Sequence, residues 1–318
     1  MNFPLFPPEA SNVARQTDYL YIALILLSVL TLVVVFVPMI YFLFKYRRGK
    51  EADRQPLHLP ETMIEVTWTL IPMVVFTGLF AWGANVYWTI ERPPADAMEI
   101  NVVGKQWMWK IEHPEGNREI DRLHVPLGRN IKLTLASQDV IHSFFLPAFR
   151  IKQDVVPGRY STLWFKASKL GTFHLFCSEY CGTHHSAMVG SLIVMTPDAY
   201  QQWLTHNAPG PSLAQDGERL FRSYGCSGCH VQSTIVHAPP LEGLYGRAVP
   251  LQSGQIVTAD EAYLRDSILL PAKDIAAGYT NDMPSFQGHL SEDDLLKIIA
   301  YIKSISDTTP QKETEEAK

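Results

Sequence analysis

Cysteine is scarce. Four residues in 318 are cysteines, and none precedes Cys177. They fall as two close pairs, Cys177/Cys181 and Cys226/Cys229. Pairs so close would staple only tiny loops, so the scattered disulfide framework common outside the cytoplasm is excluded, and all four are assigned to cofactors. Charge is missing from residues 19–44 and again from residues 66–90. Each run exceeds the roughly 20 apolar residues that a helix needs to cross a bilayer. The first run is too long for a signal peptide, Asp18 precedes it, and no small-residue cleavage site follows. Pro38 and Pro72 are tolerable inside bilayer helices if neighbours satisfy the freed carbonyls. Excess positive charge is absent too: the net charge is −5, so nothing points to nucleic acid as a partner. The two apolar runs contain no histidine.

Basic residues orient the hairpin. Lys45, Arg47, Arg48, Lys50 and Arg54 lie between the spans, whereas the N-terminal segment holds only Arg15. The loop is therefore expected on the cytoplasmic side, with both chain ends and everything after residue 90 on the outer side.

Residues 98–112, 131–135, 161–165 and 190–195 read as strands. Turn signals fall between them at Pro114 with Gly116, Pro126 with Gly128, and Pro157 with Gly158, a spacing that argues for an all-β sandwich or barrel. Residues 207–211 (NAPGP) read as a linker. Beyond them the pattern turns helical, at 216–223 and again at 292–305, where Ser291 is placed to cap. The last dozen residues are polar and charged, with the composition of a disordered tail.

Two short motifs carry the chemistry. In Cys177-Ser178-Glu179-Tyr180-Cys181-Gly182-Thr183-His184-His185-Ser186-Ala187-Met188, two thiols, imidazole and a thioether stand within twelve residues. Sulfur with imidazole suits copper or zinc. A structural zinc site is the plain alternative, but methionine is a poor zinc ligand. His142, in Asp139-Val140-Ile141-His142-Ser143-Phe144, is a further candidate at the end of a strand. His184 reads as solvated surface and His174, in the apolar run 172–176, as a core residue; both are left out of the site. The second motif, Cys226-Ser227-Gly228-Cys229-His230, has the C-x-x-C-H pattern of covalent haem c attachment, with a thiol-redox or zinc pair as the alternative. Met283, in Asp282-Met283-Pro284, is the one methionine after Met195 and the candidate second iron ligand.

Residues 15–200 or so resemble the subunit II family of cytochrome oxidases, through the segments HSF and CSEYCGTHHSAM. The resemblance implies a cupredoxin-type fold around a binuclear copper centre, CuA. It implies that Cys177 and Cys181 bridge two coppers, with His142 and Met188 on one, and His185 and the carbonyl of Glu179 on the other. It further makes Trp107, in Lys105-Gln106-Trp107-Met108-Trp109, the residue that receives electrons, against the alternative of a buried strand tryptophan. Glu65 matches a glutamate at the cytoplasmic mouth of a proton channel, against the alternative of an interfacial charge. The Glu179 side chain would bind Mg2+ or Mn2+ shared with subunit I, an oxygen-loving cation being reasonable there. The C-terminal part resembles class I cytochrome c through Gly217, Phe221, Pro239-Pro240-Leu241 and Tyr301, with Ala238 in place of the family's glycine. There Pro239 would lend its carbonyl to His230.

The expected architecture is a multidomain membrane protein. Residues 1–94 form a transmembrane helix hairpin, 95–206 an all-β cupredoxin-like CuA domain, 207–211 the linker, 212–306 an all-α class I cytochrome c domain, and 307–318 a tail. The fusion resembles caa3-type haem–copper oxidases of the bacterial cytoplasmic membrane. The implied function is to relay electrons from a soluble cytochrome or another respiratory complex, through haem c and CuA, to subunit I, which reduces O2. The implied partners are the other oxidase subunits and membrane lipid. Two other readings stay open: the small subunit of a CuA-containing nitric oxide reductase, and an extracytoplasmic copper-handling or thiol-redox protein.

Overall fold

The computed structural model describes residues 6–49, 51, 60–207, 212–230 and 238–307. Two long helices, α1 (Ala14–Lys45) and α2 (Glu61–Glu91), open the chain. Both are long and apolar enough to cross a membrane, and their apolar side chains stand exposed along nearly their whole length. A helix that is apolar all round and faces no core belongs in lipid. Hydroxyls within it are satisfied locally: Ser28, Thr31 and Thr77 each donate to the carbonyl four residues back. The helices outrun the apolar runs by roughly a turn, because flanking polar residues such as Gln16 and Glu65 continue the same backbone. Of the basic loop, Lys50 and Arg54 lie outside the described residues.

Ten strands follow: β1 (Met98–Lys105), β2 (Met108–Glu112), β3 (Arg118–Ile120), β4 (Arg122–Pro126), β5 (Asn130–Ser137), β6 (His142–Leu146), β7 (Ile151–Val155), β8 (Ser161–Lys166), β9 (Gly171–Cys177) and β10 (Val189–Met195). They form two five-stranded sheets, ordered β3-β2-β1-β5-β8 and β4-β10-β9-β6-β7. The pairs β1·β5 and β4·β10 are parallel, the others antiparallel. Alternating side chains of both sheets, among them Ile100, Val102, Leu133, Phe144, Leu175 and Leu192, close one buried core between them.

Two expectations change here. Residues 98–112 are a hairpin rather than a single strand, with Lys105 opposite Met108 across a Gln106-Trp107 turn. The Gln106 N–H donates to Asp139 Oδ2 at 2.7 Å, so a distant residue holds a turn that lacks the usual glycine or asparagine. His174 is exposed, stacked on Phe176 with 5.5 Å between ring centroids, and not in the core. The strand period sends Phe173, Leu175 and Cys177 inward and His174 outward.

Side chains of the sandwich fasten it to both helices. Arg150 forks onto Asp18 at 2.7 and 2.9 Å, and Trp164 Nε1 donates to the Thr89 carbonyl at 3.0 Å. Helix α3 (Pro197–His206) lies along the sandwich, burying Tyr200 and Leu204.

The C-terminal unit holds α4 (Leu213–Ser223), a small hairpin of β11 (Ala248–Pro250) and β12 (Ile256–Thr258), α5 (Glu261–Leu269) and α6 (Glu292–Asp307). Ser212 and Gln215 make a reciprocal capping box on α4. Ser291 caps α6 as expected, accepting from the Asp294 N–H at 3.1 Å. The helices α4 and α6 cross at Gly217, where an added Cβ would come within 1.9 Å of the Lys297 carbonyl oxygen. Residues 208–211 of the linker and 308–318 of the tail lie outside the described residues.

Candidate metal centre

The strand β9 ends on Cys177, the loop after it carries Glu179, Cys181 and His185, and β10 begins just after Met188. His142 opens β6 beside the end of β9, rather than ending a strand. Cys177 Sγ lies 3.7 Å from Cys181 Sγ, far beyond disulfide length, and neither cysteine is in a disulfide. His142 Nδ1 is 3.9 Å from Cys177 Sγ, and the Glu179 carbonyl oxygen 3.3 Å. His185 Nδ1 is 3.5 Å from Cys181 Sγ, and Met188 Sδ 3.8 Å. The four other sequence-predicted donors therefore converge on the two sulfurs, which brings all six together. The sulfur side of the site is buried, with His142, Met188 and Cys181 0%, 1% and 2% exposed, while His185 is half-buried.

Burial raises both thiols, but hydrogen bonds headed by that of His142 outweigh it at Cys177 and bring that group down to about 6. At Cys181 burial and the neighbouring Cys177 act together and push the thiol up to about 12. One negative charge is thus easily held and a second is not, unless cations neutralise the pair. Sulfur, imidazole, thioether and one carbonyl form a donor set that fits copper and not a carboxylate-preferring ion.

Residues that the sequence reading left unassigned hold this set in place. Asp139 Oδ1 lies 2.8 Å from His142 Nε2, which leaves Nδ1 turned to the sulfurs. Gln106 Nε2 donates to the Cys181 carbonyl at 2.7 Å. Gly182 takes φ +116, and a Cβ there would come within 2.8 Å of Gln106 Nε2. Asp139 stands three residues before His142, a spacing that could have suggested it; Gln106 had no such signal. Trp107 sits against the same loop, edge-on to His184 at 4.6 Å, with its Nε1 buried and unpartnered among the described residues. His184 is exposed, as expected. The Glu179 side chain is exposed while its carbonyl turns inward. Glu65 is exposed near the start of α2.

The second constellation lines one cleft of the C-terminal unit. Cys226, Cys229, His230, Pro239 and Met283 share it with Tyr263, Ile275, Tyr279 and Phe286. The cleft has a volume of about 190 Å³. His230 Nδ1 lies 3.0 Å from the Pro239 carbonyl, so the ring is oriented and Nε2 is left for a ligand bond. Cys226 and Met283 pack on the core of α4, α5 and α6. An apolar slot with two thiols and an oriented imidazole on one wall, and a thioether in its lining, fits haem c.

Comparison with known proteins agrees in all three regions. The family pattern for the transmembrane domain of cytochrome c oxidase subunit II matches residues 2–82. That for its periplasmic domain matches residues 79–195, and that for cytochrome c residues 214–306. A cytochrome c oxidase subunit 2 of Alkalihalophilus pseudofirmus is 30% identical over 96% of this chain and 91% of its own length. One from Thermostichus vulcanus is 28% identical over 76% of this chain and 91% of its own. Among solved structures, the periplasmic domain of subunit II of cytochrome oxidase from Bradyrhizobium japonicum is 32% identical, with a TM-score of 0.35, over 36% of this chain and 96% of that one. Such a chain is a membrane protein of an oxidoreductase complex, it associates with other oxidase subunits, and its two soluble domains imply copper and haem c. The chain belongs to the cytochrome c oxidase subunit II family and carries a cytochrome c domain at its C-terminal end.

Proposed function

We propose that the chain relays electrons from an external donor through haem c to a binuclear CuA centre, and from there to subunit I, where O2 is reduced. The donor is a soluble cytochrome or another respiratory complex. Convergence of four donor groups on the Cys177–Cys181 sulfur pair is the observation that carries the reading. Cys177 and Cys181 would hold a copper pair between them, with His142 and Met188 as donors to one copper and His185 and the Glu179 carbonyl as donors to the other, and such a pair would supply one-electron transfer with little change of shape. Cys226 and Cys229 would hold the haem, with His230 and Met283 as donors to its iron and Pro239 orienting His230.

The chain's own residues prepare this site. Asp139 fixes the His142 ring, Gln106 fixes the loop at Cys181, and the dry core holds both sulfurs at one separation. Trp107, for which the family resemblance implies electron entry, packs against the copper loop. The exposed Glu179 carboxylate suits a Mg2+ or Mn2+ ion shared with subunit I, since its carbonyl already serves the copper side.

Orientation follows from attachment. The sandwich is fastened at Asp18, near the start of α1, and at Thr89, near the end of α2, opposite Lys45, Arg47 and Arg48. With those basic residues on the cytoplasmic side, copper and haem lie on the periplasmic side of a bacterial inner membrane, with lipid around the helices. Glu65 then sits at the cytoplasmic face, as a proton-channel mouth requires; Glu65→Gln is expected to slow turnover and leave reduction of both metal centres unchanged.

The test is an optical and electron paramagnetic resonance spectrum of the purified full chain, matured with haem and copper. A low-spin c-type haem together with a mixed-valence two-copper signal is expected. Haem without that signal would remove the relay.

A further inference from the structure

The haem unit does not hang from its linker; it is seated on the outer face of the sheet β3-β2-β1-β5-β8. Four charges close a ring across the seam, Glu99 (β1) and Lys132 (β5) from the sandwich, Glu261 (α5) and Lys303 (α6) from the haem unit. Lys303 Nζ reaches Glu99 at 2.5 Å and Glu261 at 2.7 Å. Lys132 pairs with Glu99 and lies 3.5 Å from Glu261. Each lysine thus touches a carboxylate from both sides, and the ring is neutral. Its side chains are only 19–34% exposed, so salt screens it less than it screens isolated surface pairs. Further ties are Lys110–Asp293 and Arg118–Asp216, both at 2.8 Å, and Arg265 onto the Gly158 carbonyl at 2.6 Å.

Inside this polar frame lies a dry contact. Leu296 of α6 is buried against Val103 and Ala136, with Tyr160 packed alongside. Tyr160 also packs on the core under the haem cleft. Val103 is joined by one peptide bond to Gly104, and Gly104 lies against the ring of His142: a Cβ there would come within 3.0 Å of His142 Cδ2. From the seam to a proposed copper ligand the path is therefore the backbone from Val103 to Gly104 and then the close approach of Gly104 to the His142 ring. Trp107 takes part in none of these interdomain contacts.

We infer that electrons from the haem domain enter the copper site through the Leu296–Val103–Gly104 seam rather than through Trp107, with Lys303 clamping the two domains in register. The inference rests on the relay reading. The step moves one electron: the haem iron is oxidised by one unit as the copper pair is reduced by one, and no covalent bond forms or breaks. Val103, Leu296 and Lys303 are positioning residues, because transfer rates fall steeply with separation and these side chains set it.

The test uses the assembled oxidase containing the full chain. The haem c is reduced by a light-activated dye, and the copper near-infrared band is followed in the parent, Lys303→Met, Leu296→Ala and Trp107→Phe. Hydrogen exchange at the β1 amides is read in the same preparations, as a measure of seating that does not depend on turnover. Expected are faster β1 exchange in Lys303→Met and Leu296→Ala, and haem-to-copper transfer slowed on the order of tenfold, the scale that small misplacements of reacting groups produce. An unaltered haem spectrum in each variant shows that the domain has folded. Parent-like transfer in Lys303→Met and Leu296→Ala, with slowing confined to Trp107→Phe, overturns the seam. A parent whose copper is never reduced from its own haem overturns the relay reading itself, and the seam with it.

Discussion

Asp139 Oδ1 accepts from His142 Nε2 at 2.8 Å, and the other nitrogen of the same ring faces the Cys177 sulfur at 3.9 Å. The carboxylate therefore selects both the tautomer and the orientation of a copper ligand, and its two oxygens also accept the N–H groups of Val140 and Gln106. Asp139→Ala removes all three restraints while leaving every donor atom in place. Copper affinity is expected to fall about 10- to 100-fold, the usual cost of losing such a partner. Competitive titration with a copper chelator measures it. Affinity equal to that of the parent would mean that the strand ends alone position His142.

Met188 is 1% exposed and its Sδ lies 3.8 Å from the Cys181 sulfur, so the thioether is already aimed at the pair. Met188→Leu keeps volume and apolarity and deletes only the sulfur, a swap that well-packed cores usually accept for less than about 1.5 kcal/mol. Unfolding stability should change little, whereas the copper potential and near-infrared absorption should shift. An unaltered spectrum would remove Met188 from the ligand set.

What the sequence revealed, and what it hid, follows the range of the interactions. Cys177, Cys181, His185 and Met188 were legible because their spacing within one loop is itself the signal, and C-x-x-C-H was legible for the same reason. The Ser291 cap and the two spans were legible because caps and apolar runs are local. The Gln106-Trp107 turn was not, since Asp139 imposes it from 33 residues away. His174 was misplaced because an apolar run of five residues does not reveal which face of a strand looks outward; β9 does. The seating of the haem unit was invisible as well: Glu99 and Lys303 are 204 residues apart, and either alone reads as a solvated charge.

Gly217 gives a sharp test of the α4–α6 crossing. A Cβ at this position would lie 1.9 Å from the Lys297 carbonyl oxygen and 2.9 Å from Tyr301 Cβ, so backbone and not a flexible side-chain tip blocks it. Gly217→Ala must separate the helices, and overpacking of that kind costs about 1–3 kcal/mol or more. Elsewhere in a helix the same change stabilises by up to about 1 kcal/mol, so the sign alone is diagnostic. Denaturant unfolding followed at the haem band measures it. A stabilised variant would show that the helices do not cross in contact there.

Acid should loosen the seam between the domains. Glu261 faces Lys303, Lys132 and the Tyr245 hydroxyl, which donates to it at 2.5 Å. Burial alone would raise its carboxyl, but the Lys303 and Lys132 charges and the hydrogen bonds from Lys303 and Tyr245 together outweigh burial and hold the group at about 2, against an ordinary 4.5. A carboxyl depressed on folding stabilises fully above its unfolded pKa and loses that contribution as pH falls through the folded value. The window is therefore about 4.5 down to about 2. Lys303, raised by Glu261 and Glu99 against the opposing effect of burial, stays protonated throughout and adds no slope there. The contribution is at most about 3 kcal/mol, the energy of a shift of this size. Comparing the parent with Glu261→Gln isolates it from the other carboxylates. The parent should show the steeper rise in β1 hydrogen exchange between those pH values, and the variant should exchange faster at neutral pH with less further change. Parallel curves would mean that Glu261 contributes nothing to seating, and that the other ties across the seam, polar and apolar, hold the domains together.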